Sequence, residues 1–278
     1  AAVAAVDAAS WRSATPATAA SVSGPGFDYA GWTALTTEYI HEGELANITE
    51  HVVDYKGLAA DARFDAVVAS LATAATPTTK NETYALFMNA YNVLAVNTII
   101  KNACVRPVGG GCHPISSIRD IGNASVSVWN RPAGVVAGRQ FSLQQIEDFL
   151  RDPKPYGEDA RLHACIVCAS ISCPDVRIGA FTPADVDAQM DAAVAAFVAN
   201  TGKGAALDEG AGAIQLSPIF LWYALDFIVH EDGVLPFVAA HLPAAQGAWL
   251  RAHASAVSVS YFDYDWDVNG PVPCKCGA

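Results

Sequence analysis

Residues 79–101 read TKNETYALFMNAYNVLAVNTIIK, and this stretch decides the fold class. Ala85, Met88, Val93, Val96 and Ile100 fall at helical spacing, and Thr79 or Asn81 can cap the start, so the pattern predicts one long helix with an apolar face. Upstream, Trp32, Leu35, Tyr39 and Ile40 predict a helix over 27–44. Val52, Val53 and Tyr55 suit a short strand over 48–55, and the Ala-rich run 59–75 a second helix. Downstream, 126–136 reads as extended and Ala137-Gly138-Arg139 as a hairpin turn. Ser142, with Gln145 three residues on, opens a helix that runs to Leu150 before Pro153 stops it.

The apolar run 161–168 suits a strand buried on both faces. Thr182-Pro183-Ala184-Asp185 starts an Ala-rich helix to Asn200, with Pro in its first turn. Residues 202–212 read as loop, 214–216 as a short strand, 218–230 as a helix and the alternating 257–265 as a last strand. Helices outnumber scattered strands, so the class is α+β, with mixed α/β as the alternative and the helices packed around a small sheet. No repeat or linker divides the chain. The expectation is an Ala/Ser/Thr/Pro-rich tail over 1–26 and a single domain over 27–278.

Composition excludes several function classes. The chain has 278 residues, 52% of them apolar and 16% charged, with mean hydropathy +0.24, so it can bury a core and is not a disordered protein. Sixteen Lys and Arg stand against 28 Asp and Glu, a net charge of −12, which repels nucleic-acid phosphates and anionic lipid. The most apolar window, 216–229, is broken by Ser217, Pro218 and Asp226 and predicts a buried helix rather than a membrane span. Sequons begin at Asn47, Asn81 and Asn123; beside seven cysteines they predict glycosylation and a secretory or lumenal route.

Reactive side chains concentrate in residues 161–174, RLHACIVCASISCP. Three readings compete for them. Free cysteines are ordinary small core residues, and a lone His is a packing residue. Cys165-Ile-Val-Cys168 is a CxxC, but no second CxxC lies at zinc-ligand spacing and Cys274-Lys-Cys276 has the wrong one, so no metal or other cofactor is expected. The third reading is a cysteine thiolate activated by imidazole. On a straight strand His163 and Cys168 would stand roughly 16 Å apart, so a direct pair needs the chain to bend back after Val167; Cys173, at a turn, competes for the role.

Several stretches together resemble the domain-of-unknown-function family 547 in its bacterial and algal form. They are Leu86-Phe-Met-Asn-Ala-Tyr-Asn92, residues 115–122, Phe141 through Arg151, His163 through Pro174, Leu216 through Tyr223 with Asp226-Phe227, and Tyr261 through Asn269. The resemblance implies a distant similarity to papain-like cysteine hydrolases. It implies Cys168 as nucleophile, His163 as base and then acid, Glu147 as the carboxylate that orients the ring, and Ser170 near the oxyanion. Cys173 and Asn89 are implied as supporting residues, and the substrate as a peptide or protein. Plant members of the family resemble Cys-Gly-Ser-x-Ser-Ser-Pro at this motif, with serine at the position of Cys173.

The cysteines outside the motif suit disulfides. Cys104 and Cys112 bracket a Gly-rich loop they can staple, and Cys274 and Cys276 can tie the C-terminus elsewhere; three bridges would leave one thiol, expected to be Cys168. Two rival functions stay open: a non-catalytic protein-interaction module on the same fold, and a thiol–disulfide redox protein using Cys165 and Cys168.

Overall fold

The central helix forms for the reason its sequence suggests, but it sits deeper than one apolar face requires. In the computed structural model, which describes residues 26–276 apart from 107–109, 124, 153 and 157–158, it spans Lys80–Lys101. Thr79 accepts from the Glu82 amide while Glu82 reaches back to the Thr79 amide, closing a capping box. Most of the helix from Thr83 to Asn97 is buried on all sides, Asn89, Asn92 and Asn97 included. A buried amide is costly unless its hydrogen bonds are made. Asn89 therefore holds Phe181 at both its N–H (3.0 Å) and C=O (2.7 Å), and Asn92 holds Cys165 and Val167.

The elements in chain order are α1 (Tyr29–Tyr39), β1 (Ile40–Leu45), β2 (Ile48–Val53), α2 (Tyr55–Ala60), α3 (Ala62–Ala72), the central helix α4, β3 (Cys104–Val105) and β4 (His113–Pro114). They continue through β5 (Pro132–Val136), β6 (Arg139–Ser142), α5 (Leu143–Arg151), α6 (Val186–Ala199), β7 (Ala205–Asp208) and β8 (Ala213–Leu216). The last are α7 (Ile219–Trp222), α8 (Ala224–Glu231), α9 (Val234–His241), α10 (Ala244–His253) and β9 (Ser258–Tyr261). The fold is α+β. The strands make four separate small sheets among the described residues rather than one: three antiparallel pairs, and β7-β8-β9 in which β9 runs parallel to β8. One buried cluster surrounds α4, and a second lies between α6, β7–β8 and α7–α10.

Several elements differ from their expected bounds, each time because pairing or packing outweighs local pattern. The first helix stops at Tyr39, since Ile40–Leu45 pairs with Ile48–Val53 across Ala46 and Asn47, both at positive φ. Part of the expected loop 202–212 becomes β7 by pairing with β8. Pro183 lies in a turn before α6 rather than in it, with the Asp185 amide donating to the Thr182 carbonyl. The helix expected over 218–230 breaks at Tyr223 into α7 and α8. The expected hairpin and capped helix are present: Ala137 (φ 47°) and Gly138 (φ 76°) turn β5 into β6, and Ser142 and Gln145 close a second capping box on α5. The N-terminal tail expectation lies outside the described residues.

After β9 the chain forms an irregular strap, 262–270, that crosses the Cys168–Cys173 loop. Ile171 and Ser172 amides donate to the Asp267 and Asp265 carbonyls, and the Asn269 amide donates to Ala169. The far end of the strap is tied to β1–β2 and α2, where Val53 donates to the Asn269 carbonyl and Tyr55 donates to Asn269 Oδ1 at 2.6 Å. Disulfides Cys104–Cys274 and Cys112–Cys276 then bind the C-terminal segment to β3 and the chain before β4. The staple expected between Cys104 and Cys112 is thus not formed. Two bridges leave three free thiols, Cys165, Cys168 and Cys173, where the odd-cysteine argument expected one.

Candidate active site

The segment expected as a strand is a 3-10 helix, Ala160–Ala164, followed by irregular chain. Asp159 caps it by accepting from the Arg161 amide, and Arg161 is clamped by Asp159, Asp187 and Asp191, all 2.6–2.8 Å away. That clamp and the Ala-rich composition favour the compact turn; a continuous apolar run alone does not tell strand from buried helix. Shortening the rise per residue brings His163 and Cys168 to one cavity of about 230 Å³, which Glu147 and Cys173 also line.

Cys168 is half-buried at the cavity wall. Its sulfur lies 3.1 Å from Ser170 Oγ, 3.0 Å from Cys173 Sγ and 3.3 Å from the Tyr264 hydroxyl. Donation from the Cys173 thiol, with help from the two hydroxyls, lowers the Cys168 thiol to about 7, while burial and the neighbouring Cys168 sulfur raise Cys173. Ala169, next to it, adopts φ 63°, a left-handed conformation that costs an L-residue of order 1–2 kcal/mol. The strap and the Asn92 clamp on Cys165 and Val167 hold the loop in that conformation from both sides.

His163 is buried and stacks on Tyr223 at 4.1 Å. Its Nε2 lies 2.8 Å from Asp226 Oδ2. Arg151 binds the same carboxylate through Nε (2.7 Å) and Nη2 (3.0 Å), and these partners keep Asp226 ionised well below the usual carboxylate range. Burial pushes His163 below its ordinary value, so the ring is neutral near pH 7. An ionised Asp226 can only accept, which places the proton on Nε2 and leaves Nδ1 as a lone pair.

Of the residues singled out in the sequence, the structure brings Cys168, Ser170, Cys173 and His163 to one place but makes no hydrogen bond between His163 and Cys168 among the described residues. The carboxylate on the imidazole is Asp226 and not Glu147. Glu147 is buried, hydrogen-bonded to Tyr223 and 4.0 Å from Arg151, and burial raises it. Asn89 holds Phe181 rather than the site; Asn92 does the holding there. Cys165 is buried with its sulfur on the Arg161 carbonyl, so the nearest sulfur to Cys168 belongs to Cys173 rather than to its CxxC neighbour. Asp226 and Tyr264 were missed. The signal for the first was an acid inside an otherwise apolar helix; the second carried none beyond its place in a recurring motif.

Residues 75–198 match the family model described as "Protein of unknown function, DUF547", which supports the family read from the motifs. The matched span includes α4, α5, His163 and the cysteine loop but ends before Asp226 and Tyr264. No curated protein and no solved structure matches the chain. No helix among the described residues is long and apolar enough to cross a membrane.

Proposed function

We propose that this cavity is the active centre of a cysteine-dependent hydrolase acting on amide or ester carbonyls, distantly similar to papain-like enzymes. The observation that carries the proposal is the Cys168 sulfur, within hydrogen-bond distance of Cys173, Ser170 and Tyr264 and with its thiol lowered to about 7, in a cavity that His163, held by Asp226, also lines. His163 Nδ1 takes the proton of the Cys168 thiol, the thiolate attacks the carbonyl carbon, and the acyl–sulfur bond forms as the bond to the leaving group breaks and the imidazolium gives that group the proton. The Ser170 and Tyr264 hydroxyls, released from the sulfur as it loses its charge, turn to the developing oxyanion. In the second half His163 Nδ1 takes a proton from water, whose oxygen attacks the acyl carbon and displaces the sulfur, and the imidazolium returns that proton to Cys168. Asp226 keeps the tautomer and stabilises the imidazolium.

The test is turnover of a generic amide or ester by the full chain. Cys168→Ala and His163→Ala are each expected to lower it by three orders of magnitude or more, and full turnover in either variant would sink the proposal. One observation favours a second reading, a non-catalytic interaction module: His163 and Cys168 are not hydrogen-bonded to one another. That reading expects no turnover in wild type either. Two disulfides and the exposed asparagines Asn47, Asn81 and Asn123 support a secretory or lumenal setting for the substrate, a peptide or protein. Intact mass of the protein from its natural host tests that setting, and unmodified asparagines would remove the glycosylation.

A further inference from the structure

The wall of the cavity nearest the nucleophile is aromatic. Tyr264, whose hydroxyl contacts the Cys168 sulfur, packs on Trp266 at 4.5 Å and on Trp222 at 4.8 Å. Trp222 stacks on Trp266 at 5.8 Å with the rings 19° from parallel, and Trp129 meets Trp266 edge-on at 6.0 Å. All four rings line the cavity, yet they come from three separate places: the strap, α7 and the turn Val128–Asn130. Among the described residues no Lys or Arg lines it. Arg119 lies over Trp266, 4.9 Å from its ring, and Arg151 over Tyr223 at 4.9 Å, so the cations near these rings are already engaged. The one carboxylate that lines the wall among the described residues, Glu147, is hydrogen-bonded to Tyr223.

An apolar cavity of about 150 Å³ takes up benzene, so about 230 Å³ holds an aromatic ring with its attached carbonyl. A charged side chain entering here would lose its hydration with no opposite charge free to replace it. The apolar surface continues past the rim from Trp222, which is 49% exposed, onto Leu221 and Leu225, at 52% and 74%. A substrate is the occupant this surface fits, because the patch begins at the cavity that holds the nucleophile.

We propose that Trp129, Trp222, Tyr264 and Trp266 form the subsite for an uncharged aromatic side chain, of the phenylalanine type, on the residue whose carbonyl Cys168 attacks. The inference rests on the hydrolase reading for its orientation, and its test separates the two. Binding is measured by tryptophan fluorescence on the full-length Cys168→Ala protein with N-acetyl-phenylalaninamide, N-acetyl-glycinamide and N-acetyl-lysinamide. Hydrolysis by wild type is measured on the aminocoumarin amides of the same three acyl groups.

The phenylalanine compound is expected to bind at least 10-fold tighter than either of the others. Adding Trp222→Ala to the Cys168→Ala protein is expected to shrink that margin 3-fold or more; Trp222 is half-exposed, so this variant retains the fold. Preferential binding without hydrolysis leaves the subsite standing and removes the hydrolase. Hydrolysis without aromatic preference does the reverse. Equal affinity for the three, tighter binding of the lysine compound, binding of none, or a margin untouched by Trp222→Ala would each overturn the subsite.

Discussion

Replacing Asp226 by Asn tests the proposed chemistry at the group the sequence did not single out. The carboxylate accepts three hydrogen bonds, two from Arg151 and one from His163 Nε2. An amide offers one oxygen and sets an NH₂ against at least one of those donors. A hydrogen bond to a charged group contributes about 1.5–3 kcal/mol. Arg151 retains Glu147 4.0 Å away, so the expected loss is at the lower end, about 2 kcal/mol by urea denaturation.

The catalytic loss is larger. With the NH₂ facing the imidazole, the proton moves to Nδ1 and the base is lost, an effect of order 10⁴ in kcat for a comparable Asp-to-Asn change. Alkylation of Cys168 by iodoacetamide is a control with a different expectation. Its pH midpoint stays near 7, because Ser170, Cys173 and Tyr264 set the thiolate and none of them touches Asp226. Glu147→Gln, which leaves His163 its partner, is expected to cost less than 10-fold in turnover. A Glu147→Gln loss equal to that of Asp226→Asn, or an alkylation midpoint that moves in the latter, would refute the assignment.

Other outcomes follow from single features. Glu50 is buried against Lys203 (3.0 Å) with Oε1 unpartnered, and burial raises its carboxyl from 4.5 to about 7. A raised folded value means stability that is full below pH 4.5 and lost as pH rises through 7; two and a half pH units at ~1.36 kcal/mol each amount to about 3 kcal/mol. Glu50→Gln should therefore flatten the stability curve between pH 4 and 8 by that amount, and parallel curves in urea would contradict it. At position 169 the left-handed backbone predicts a stability order of Gly at or above Ala, with Val more than about 1 kcal/mol below; a reversed order of denaturation midpoints removes the argument from strain. Hydrogen peroxide should convert the Cys168 thiolate to a sulfenic acid that the Cys173 thiol, 3.0 Å away, resolves to a disulfide with loss of water. Peptide mapping should find that bond, reversible by dithiothreitol and absent in Cys173→Ser; a sulfinic acid at Cys168 beside an unmodified Cys173 would be the contrary result.

The parts of the fold legible in the chain are those made by contacts within four residues. Thr79 with Glu82, Ser142 with Gln145 and the Ala137-Gly138 turn are all present as expected, because a cap or tight turn carries its partners with it. The run 161–168 was illegible for the opposite reason. Its partners lie far along the chain: Arg161 reaches Asp187 and Asp191, 26 and 30 residues away, and Asn92 holds Cys165 and Val167 from 73 and 75 residues away. β7 and the shortened first helix depend likewise on strand partners that local composition does not reveal. Cys274 and Cys276 tie to another part of the fold as expected, but the Cys104–Cys112 staple failed on the same ground: the two are close in sequence, yet their partners lie 170 and 164 residues on.

The sequence alone established an acidic α+β protein and located its reactive cluster between His163 and Cys173, since composition, caps and residue types are local properties. Which groups act on one another was settled by folding. Asp226 reaches His163 across 63 residues and Tyr264 reaches Cys168 across 96. Only the packing of α8 beside the 3-10 turn, and of the strap across the cysteine loop, puts an ionised carboxylate on the imidazole and a phenol on the sulfur. Electrostatic influence falls off over a few ångströms in space and is blind to distance along the chain.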